Sequence, residues 1–108
     1  MIKASRVVFI SDELEKVFHA LSEEDFVKKS MIRAIHDLKQ NAFAGIQIPK
    51  KLIPTSYVQN YGIKNLWKYD LPRGWRLLYT VTAANEVELI SAILEWFNHK
   101  HYERKLKY

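Results

Sequence analysis

The sequence predicts an α+β domain in which a helical hairpin covers one face of an antiparallel sheet. Three observations lead to this fold class: a short apolar strand near the N-terminus, two amphipathic helical segments after it, and three β-like segments in the second half. A chain of 108 residues is long enough for one domain and too short for two, so we interpret residues 1–108 as a single domain.

The N-terminal elements follow from local patterns. Arg6–Ile10 is β-branched and apolar, which favours a buried strand. Ser11 is a typical N-cap for the first helix. That helix has an apolar stripe at helical spacing: Leu14, Val17, Phe18 and Leu21. Ser22 restarts the pattern, with Asp25 in a capping-box position, and the second helix ends before Gly45.

The second half of the chain is β-like. Pro54 favours a short helical turn over residues 55–60. Three strands follow, joined by turns at residues 72–74 and 84–85: Asn65–Leu71, Trp75–Ala83 and Glu86–Leu94. From Glu95 onward the pattern indicates a basic, helical tail. The strands form a predicted three-strand meander, and only the helical hairpin is available to cover it.

Alternation along the first two of these strands separates their side chains into two faces. The bulkier apolar set, which includes Trp67 and Tyr79, belongs against the helices. Lys68 and Arg76 then share the opposite face, which we expect to be open. Long cationic side chains are disfavoured in mid-strand, so two on one face indicate a function. The alternative is that Lys68 and Asp70 only keep an exposed sheet hydrated.

The net charge of +5 is unevenly distributed along the chain. Residues 1–48 hold seven Lys and Arg and seven Asp and Glu, whereas residues 49–108 hold ten and five. Such an excess attracts a polyanion such as RNA, although a basic surface also serves solubility. Besides the strand pair, the candidate RNA-binding cations are Lys50, Lys51, Arg73, Arg104 and Lys105.

Composition excludes several other classes. The chain is 48% hydrophobic and 13% aromatic, which is typical of a folded domain. It has no cysteine, no apolar run of membrane-spanning length and no segment resembling a secretory signal. We therefore expect a cytoplasmic protein with no membrane partner, no cofactor and no metal.

The hairpin carries a resemblance to a known family. Residues 65–71 (NLWKYDL) and 73–79 (RGWRLLY) resemble the central hairpin of toxins of the RelE/ParE superfamily, in which a Gly-aromatic-Arg-Leu-aliphatic-Tyr strand follows an aromatic-Lys strand. The element order and a late His-Lys…Tyr cluster are also similar. The resemblance implies a RelE-like fold and a toxin of a type II toxin–antitoxin system.

Because that family includes ribonucleases, the resemblance implies a metal-independent endoribonuclease that cuts mRNA on the ribosome through attack by the 2′-hydroxyl. Arg76 matches the hairpin arginine, which would clamp the phosphate. Lys68 matches the first lysine of the preceding strand, which would stabilise charge or act as a base. The chain departs from the family at Asp70, where the ribonucleases have a second lysine. This departure puts the base, and nuclease activity itself, in question.

The last catalytic candidates lie in the tail. His99, Lys100, His101 and Tyr102 resemble the region where family members keep a terminal Arg or His and a Tyr, and histidine is a natural acid–base group near neutral pH. His99 and His101 are each equally compatible with an ordinary polar residue of a terminal helix. The two histidines have no third metal ligand near them in sequence.

The resemblance also implies a partner and leaves two alternatives open. Toxins of this type are bound by a cognate antitoxin whose helix or strand covers the basic face. One alternative is a ParE-like inhibitor of DNA gyrase with no nuclease activity, which a supercoiling assay separates from an mRNA-cleaving enzyme. The other is a non-toxic RNA- or partner-binding domain on the same scaffold, whose expression without an antitoxin would be harmless.

Overall fold

The structure is a computed structural model that describes residues 2–98. In this part of the chain it contains three α-helices and one five-stranded mixed sheet, so the predicted α+β class is confirmed. The elements are β1 (Ser5–Phe9), α1 (Asp12–Ala20), α2 (Phe26–Gln40), β2 (Ile46–Gln47), α3 (Thr55–Tyr61), β3 (Trp67–Asp70), β4 (Trp75–Ala83) and β5 (Leu89–Asn98).

The sheet has the strand order β1-β5-β4-β3-β2. The pairs β2–β3, β3–β4 and β4–β5 are antiparallel, and β1 pairs parallel to β5. The sequence pattern predicts neither β2 nor the pairing of β1. β2 has only two residues, too few for an alternating pattern, and the partner of β1 lies at the far end of the described chain.

The helix starts are set by side-chain caps. The Ser11 hydroxyl accepts a hydrogen bond from the Leu14 amide at 3.1 Å, as predicted for α1. The predicted capping box at the second helix is wrong. Asp25 is itself the N-cap of α2 and accepts from the Val27 amide at 2.8 Å, while Ser22 caps the preceding turn. Within residues 2–98, no helix combines the length and apolarity that a bilayer crossing requires.

The last strand begins and ends later than predicted. Asn85 accepts hydrogen bonds from the amides of Val87 and Glu88, both at 2.9 Å, and so holds those residues in the turn. Residues 95–98 belong to β5 instead of a helical tail, because they pair with the start of β4. The rest of the predicted tail helix lies outside the described residues.

The sheet is packed on both faces. The helix-side core is centred on α2 and the inner residues of β4 and β5; its fully buried members are Met31, Ala34, Leu38, Ala42, Leu77, Tyr79 and Ile93. A second core lies on the opposite face, under α3 and its flanking loops; it consists of Ile48, Tyr57, Ile63, Leu66, Leu78, Leu94 and Phe97. Most of these are apolar positions on the strand face that carries Lys68 and Arg76.

The prediction that this second face is open is therefore wrong. The segment between β2 and β3 folds back over it, with the Ile48 amide donating to the Leu66 carbonyl at 2.8 Å. The sequence pattern did not predict this packing, because the segment has a loop-like composition. Its buried apolar residues Ile48, Tyr57 and Ile63 are spaced too irregularly to form a helical or strand-like stripe.

Gly45 is the point of closest approach between the chain before β2 and the sheet. The buried Tyr79 hydroxyl donates to the Ala42 carbonyl at 2.9 Å and accepts from the Gly45 amide at 3.0 Å. A Cβ atom at Gly45 would overlap the backbone carbonyl of Lys68 and lie 2.7 Å from the Tyr79 hydroxyl. Only glycine therefore fits here.

We expect Gly45→Ala to lower the free energy of unfolding by about 3 kcal/mol, because the overlapping carbonyl belongs to the sheet backbone and cannot rotate away. Gly62→Ala is the matched control. Gly62 has a φ of +63°, and a Cβ there would have no neighbour within 4 Å. Its substitution should cost only about 1 kcal/mol of backbone strain. Urea unfolding followed by circular dichroism measures both; equal losses would contradict this account.

Candidate functional site

Strand register brings three charged side chains together on the second face of the sheet. Asp70 lies directly opposite Arg76 across the β3–β4 pair, and Lys68 precedes Asp70 by two residues. Because side chains alternate along a strand, all three point to the same side. We call Lys68, Asp70 and Arg76 the hairpin triad.

One carboxylate oxygen contacts both cations of the hairpin triad. Asp70 Oδ1 lies 2.9 Å from Arg76 Nε and 3.6 Å from Lys68 Nζ. The Arg76 side chain is 17% exposed and that of Lys68 12%, whereas Asp70 is 50% exposed. The guanidinium also donates to the Trp75 carbonyl at 3.2 Å. The side chains of Lys68 and Arg76 are thus mostly buried, whereas Asp70 lies at the solvent-exposed side of the hairpin triad.

β5 adds a second carboxylate to this face. Glu95 lies opposite Leu78, and Phe97 lies opposite Arg76. The hydroxyl of the buried Tyr57 in α3 donates a hydrogen bond to Glu95. Burial, and then this bond, raise the pKa of Tyr57 far above its ordinary value, so the hydroxyl keeps its proton and acts as a donor.

A β-bulge determines which way Glu95 points. The register is Leu78 opposite Glu95 but Tyr79 opposite Ile93, so Leu94 is an extra residue in β5. Leu94 is buried in the second core, and Glu95 follows it on the same face. Without the bulge, regular alternation would place Leu94 and Glu95 on opposite faces of the sheet.

The sequence pattern did not identify Glu95 or Tyr57 as site residues. The available signal was Glu95 itself, a single acidic residue within the apolar run of residues 89–97. Because the predicted strand ended at Leu94, Glu95 lay outside it. Tyr57 gave no signal, because a tyrosine in a short helix is more often a packing residue than a functional one.

The remaining described cations lie elsewhere. Lys50 and Lys51 are exposed in the 3₁₀ turn of the segment that covers the second face. Arg73 is not part of the site. Its backbone is left-handed, with a φ of 61°, and its guanidinium stacks 4.3 Å from the centroid of the Phe26 ring at the start of α2. That contact directs Arg73 to the helix side of the sheet.

The other predicted site residues, His99, Lys100, His101, Tyr102, Arg104 and Lys105, lie outside the described residues. Within residues 2–98, no three His, Asp or Glu side chains are grouped to hold a metal ion. Comparison of the chain with protein-family models, curated proteins and solved structures finds no match.

The arrangement has a definite chemical capacity. Arg76 and Lys68 are the hydrogen-bond donors and positive charges that a phosphodiester requires, and Arg is suited to contact two phosphate oxygens at once. Asp70 occupies, from within the chain, a position that such an anion would take. A phosphate bound by Arg76 and Lys68 would therefore compete with an internal carboxylate.

We expect Asp70→Asn to tighten binding of single-stranded RNA by roughly fivefold at 100 mM salt, because it removes the competing charge while keeping the side-chain shape. Glu86→Gln is the matched control, since it makes the same charge change in the exposed turn before β5. The control should change affinity by less than about twofold. Fluorescence anisotropy across a salt series measures both. Equal effects of the two substitutions would show that Asp70 acts only through net charge.

Proposed function

We propose that this protein is a toxin of the RelE/ParE superfamily that cuts mRNA on the ribosome, without a metal, and is silenced by a cognate antitoxin. The observation that carries the proposal is the hairpin triad: Arg76 and Lys68 lie side by side on one face of the sheet, each in contact with the same anion, Asp70. Two cations placed around one anion suit the recognition of a phosphodiester.

Two further observations support the proposal. The strand, two helices and final three strands follow in the order that the hairpin resemblance implies. Glu95, diagonal to Arg76 on the same face, adds an ionisable group of the kind that acid–base chemistry at an RNA backbone requires. Such a protein acts in the cytoplasm, where ribosomes and message are found.

In the proposed reaction the 2′-hydroxyl attacks the neighbouring phosphorus and the 5′ oxygen leaves. Negative charge increases on the non-bridging phosphate oxygens as the new bond forms. Arg76, held by the second core and by its bond to the Trp75 carbonyl, would donate to those oxygens. Lys68 would add a second positive charge from the adjacent strand.

The test is single-turnover cleavage of mRNA on programmed ribosomes. We expect Arg76→Ala to lower the rate at least 100-fold, because one donor to the transition-state oxyanion contributes about 10²–10³. Arg76→Lys keeps the charge but loses the planar fork, and should remain at least about tenfold slower than wild type. Arg33→Ala, on the exposed side of α2, is the control and should cleave at the wild-type rate.

Thermal unfolding of each variant confirms that the protein is folded before its rate is compared. Absence of cleavage by the wild-type protein, under conditions in which ribosomes bind message normally, would overturn the enzyme proposal.

One observation favours a second candidate, a ParE-like inhibitor of DNA gyrase. Asp70 contacts both cations of the hairpin triad, which lowers the positive potential available to RNA. A supercoiling assay distinguishes the candidates. Inhibition of gyrase by a preparation that leaves ribosome-bound mRNA intact would select the inhibitor.

A further inference from the structure

We propose that Glu95 is the general base that takes the proton from the 2′-hydroxyl of the RNA, and that Tyr57 is the residue that positions it. This inference rests on the proposed mRNA-cleaving function. It supplies the base that the replacement of a family lysine by Asp70 leaves unassigned, and it uses two residues that the sequence pattern did not identify.

The position of Glu95 suits this role. Phe97 lies opposite Arg76, and Glu95 precedes Phe97 by two residues on the same face, so Arg76 and Glu95 are diagonal neighbours. Diagonal neighbours across an antiparallel pair have Cα atoms roughly 7–8 Å apart, within reach of each other's long side chains. A guanidinium on the phosphate oxygens and a carboxylate at the adjacent 2′-hydroxyl can therefore serve one nucleotide linkage.

Glu95 is also accessible to a ligand. It lines a cleft of about 490 Å³ between α1 and α3, whose walls include Leu14, Val17 and Tyr61. Among residues 2–98, the titratable groups near it include Glu13 of α1 and Tyr57 and Tyr61 of α3 along the cleft, and Arg76 and Lys68 on the sheet. Glu95 thus lines the cleft and is also a diagonal neighbour of Arg76.

The other basic candidate on this face is less suited to accept a proton. Lys68 Nζ lies 3.6 Å from Asp70 and is placed, beside Arg76, to bind the phosphate instead. Asp70 itself contacts the two cations that the phosphate needs. The Tyr57 hydroxyl, whose pKa is raised by burial, donates a hydrogen bond to Glu95.

The proposed step balances as follows. The Glu95 carboxylate takes the 2′-hydroxyl proton as the 2′ oxygen forms its bond to phosphorus. The bond from phosphorus to the 5′ oxygen breaks, and that oxygen takes a proton from water. The products are a 2′,3′-cyclic phosphate and a 5′-hydroxyl, and Glu95 then returns its proton to solvent.

The first experiment measures single-turnover cleavage on programmed ribosomes by the full-length protein. We expect Glu95→Gln to slow cleavage at least about 100-fold, as loss of a general base does, with ribosome affinity within about threefold of wild type. Glu86→Gln, the exposed control, should cleave at the wild-type rate. A Glu95→Gln variant that unfolds like wild type and cleaves as fast overturns the inference.

A second substrate distinguishes a base from an acid. Sulfur in place of the bridging 5′ oxygen makes a leaving group that needs no proton, so it rescues the loss of a general acid and not the loss of a general base. We expect Glu95→Gln to remain slow on this substrate. Recovery of the wild-type rate would show that Glu95 donates a proton, which overturns its assignment as the base.

Tyr57→Phe tests the positioning role separately. Removal of the hydroxyl takes away a hydrogen bond that fixes the position of the Glu95 carboxylate. We expect the maximal single-turnover rate to fall about three- to tenfold, with ribosome affinity within about threefold of wild type. A wild-type maximal rate in a folded variant would contradict the role of Tyr57.

These outcomes separate the inference from the function on which it rests. If wild type cleaves and Arg76→Ala does not, while Glu95→Gln matches wild type, the proposed function stands and Glu95 is not the base. If wild type cleaves no message, the proposed function fails, and the assignment of Glu95 fails with it.

Discussion

The burial of β4 on both faces is the constraint on which the rest of the structure depends. Its side chains alternate between two cores, with Leu77 and Tyr79 under the helices and Leu78 under α3 and the adjoining loops. A central strand without a solvent-facing side tolerates charge only at its end, and that is where Arg76 lies. The same burial requires the segment between β2 and β3 to fold across the sheet, which delivers Tyr57 to Glu95.

The parts of the fold that local patterns determine were predicted correctly. The cap at Ser11, the short helix after Pro54 and the strand Trp75–Ala83 all follow from neighbouring residues. The pairing of β1 and the second core depend on contacts between distant parts of the chain. No periodicity within a window of ten residues encodes such contacts, and the irregular segment from Ile48 to Ile63 resembles an ordinary loop until its partners are known.

The candidate site, too, was predictable only where it depends on local patterns. Alternation alone predicts that Lys68 and Arg76 share a face, and the register of the hairpin places Asp70 between them. Their low exposure was not predictable, because it arises from the second core. Glu95 was missed because the predicted strand ended at Leu94 and because the sequence carries no sign of the bulge, which changes which side chains share a face.

The parallel pairing of β1 with β5 has a consequence for how this chain folds during synthesis. Ser5 lies opposite Leu89, so the first strand made must wait for the last described strand, which is its one partner in the sheet formed by residues 2–98. Loop-closure entropy makes such contacts late and slow to form. The nascent chain therefore cannot complete its sheet while β5 is inside the exit tunnel, and the face that carries Arg76 and Glu95 is assembled only after that strand emerges.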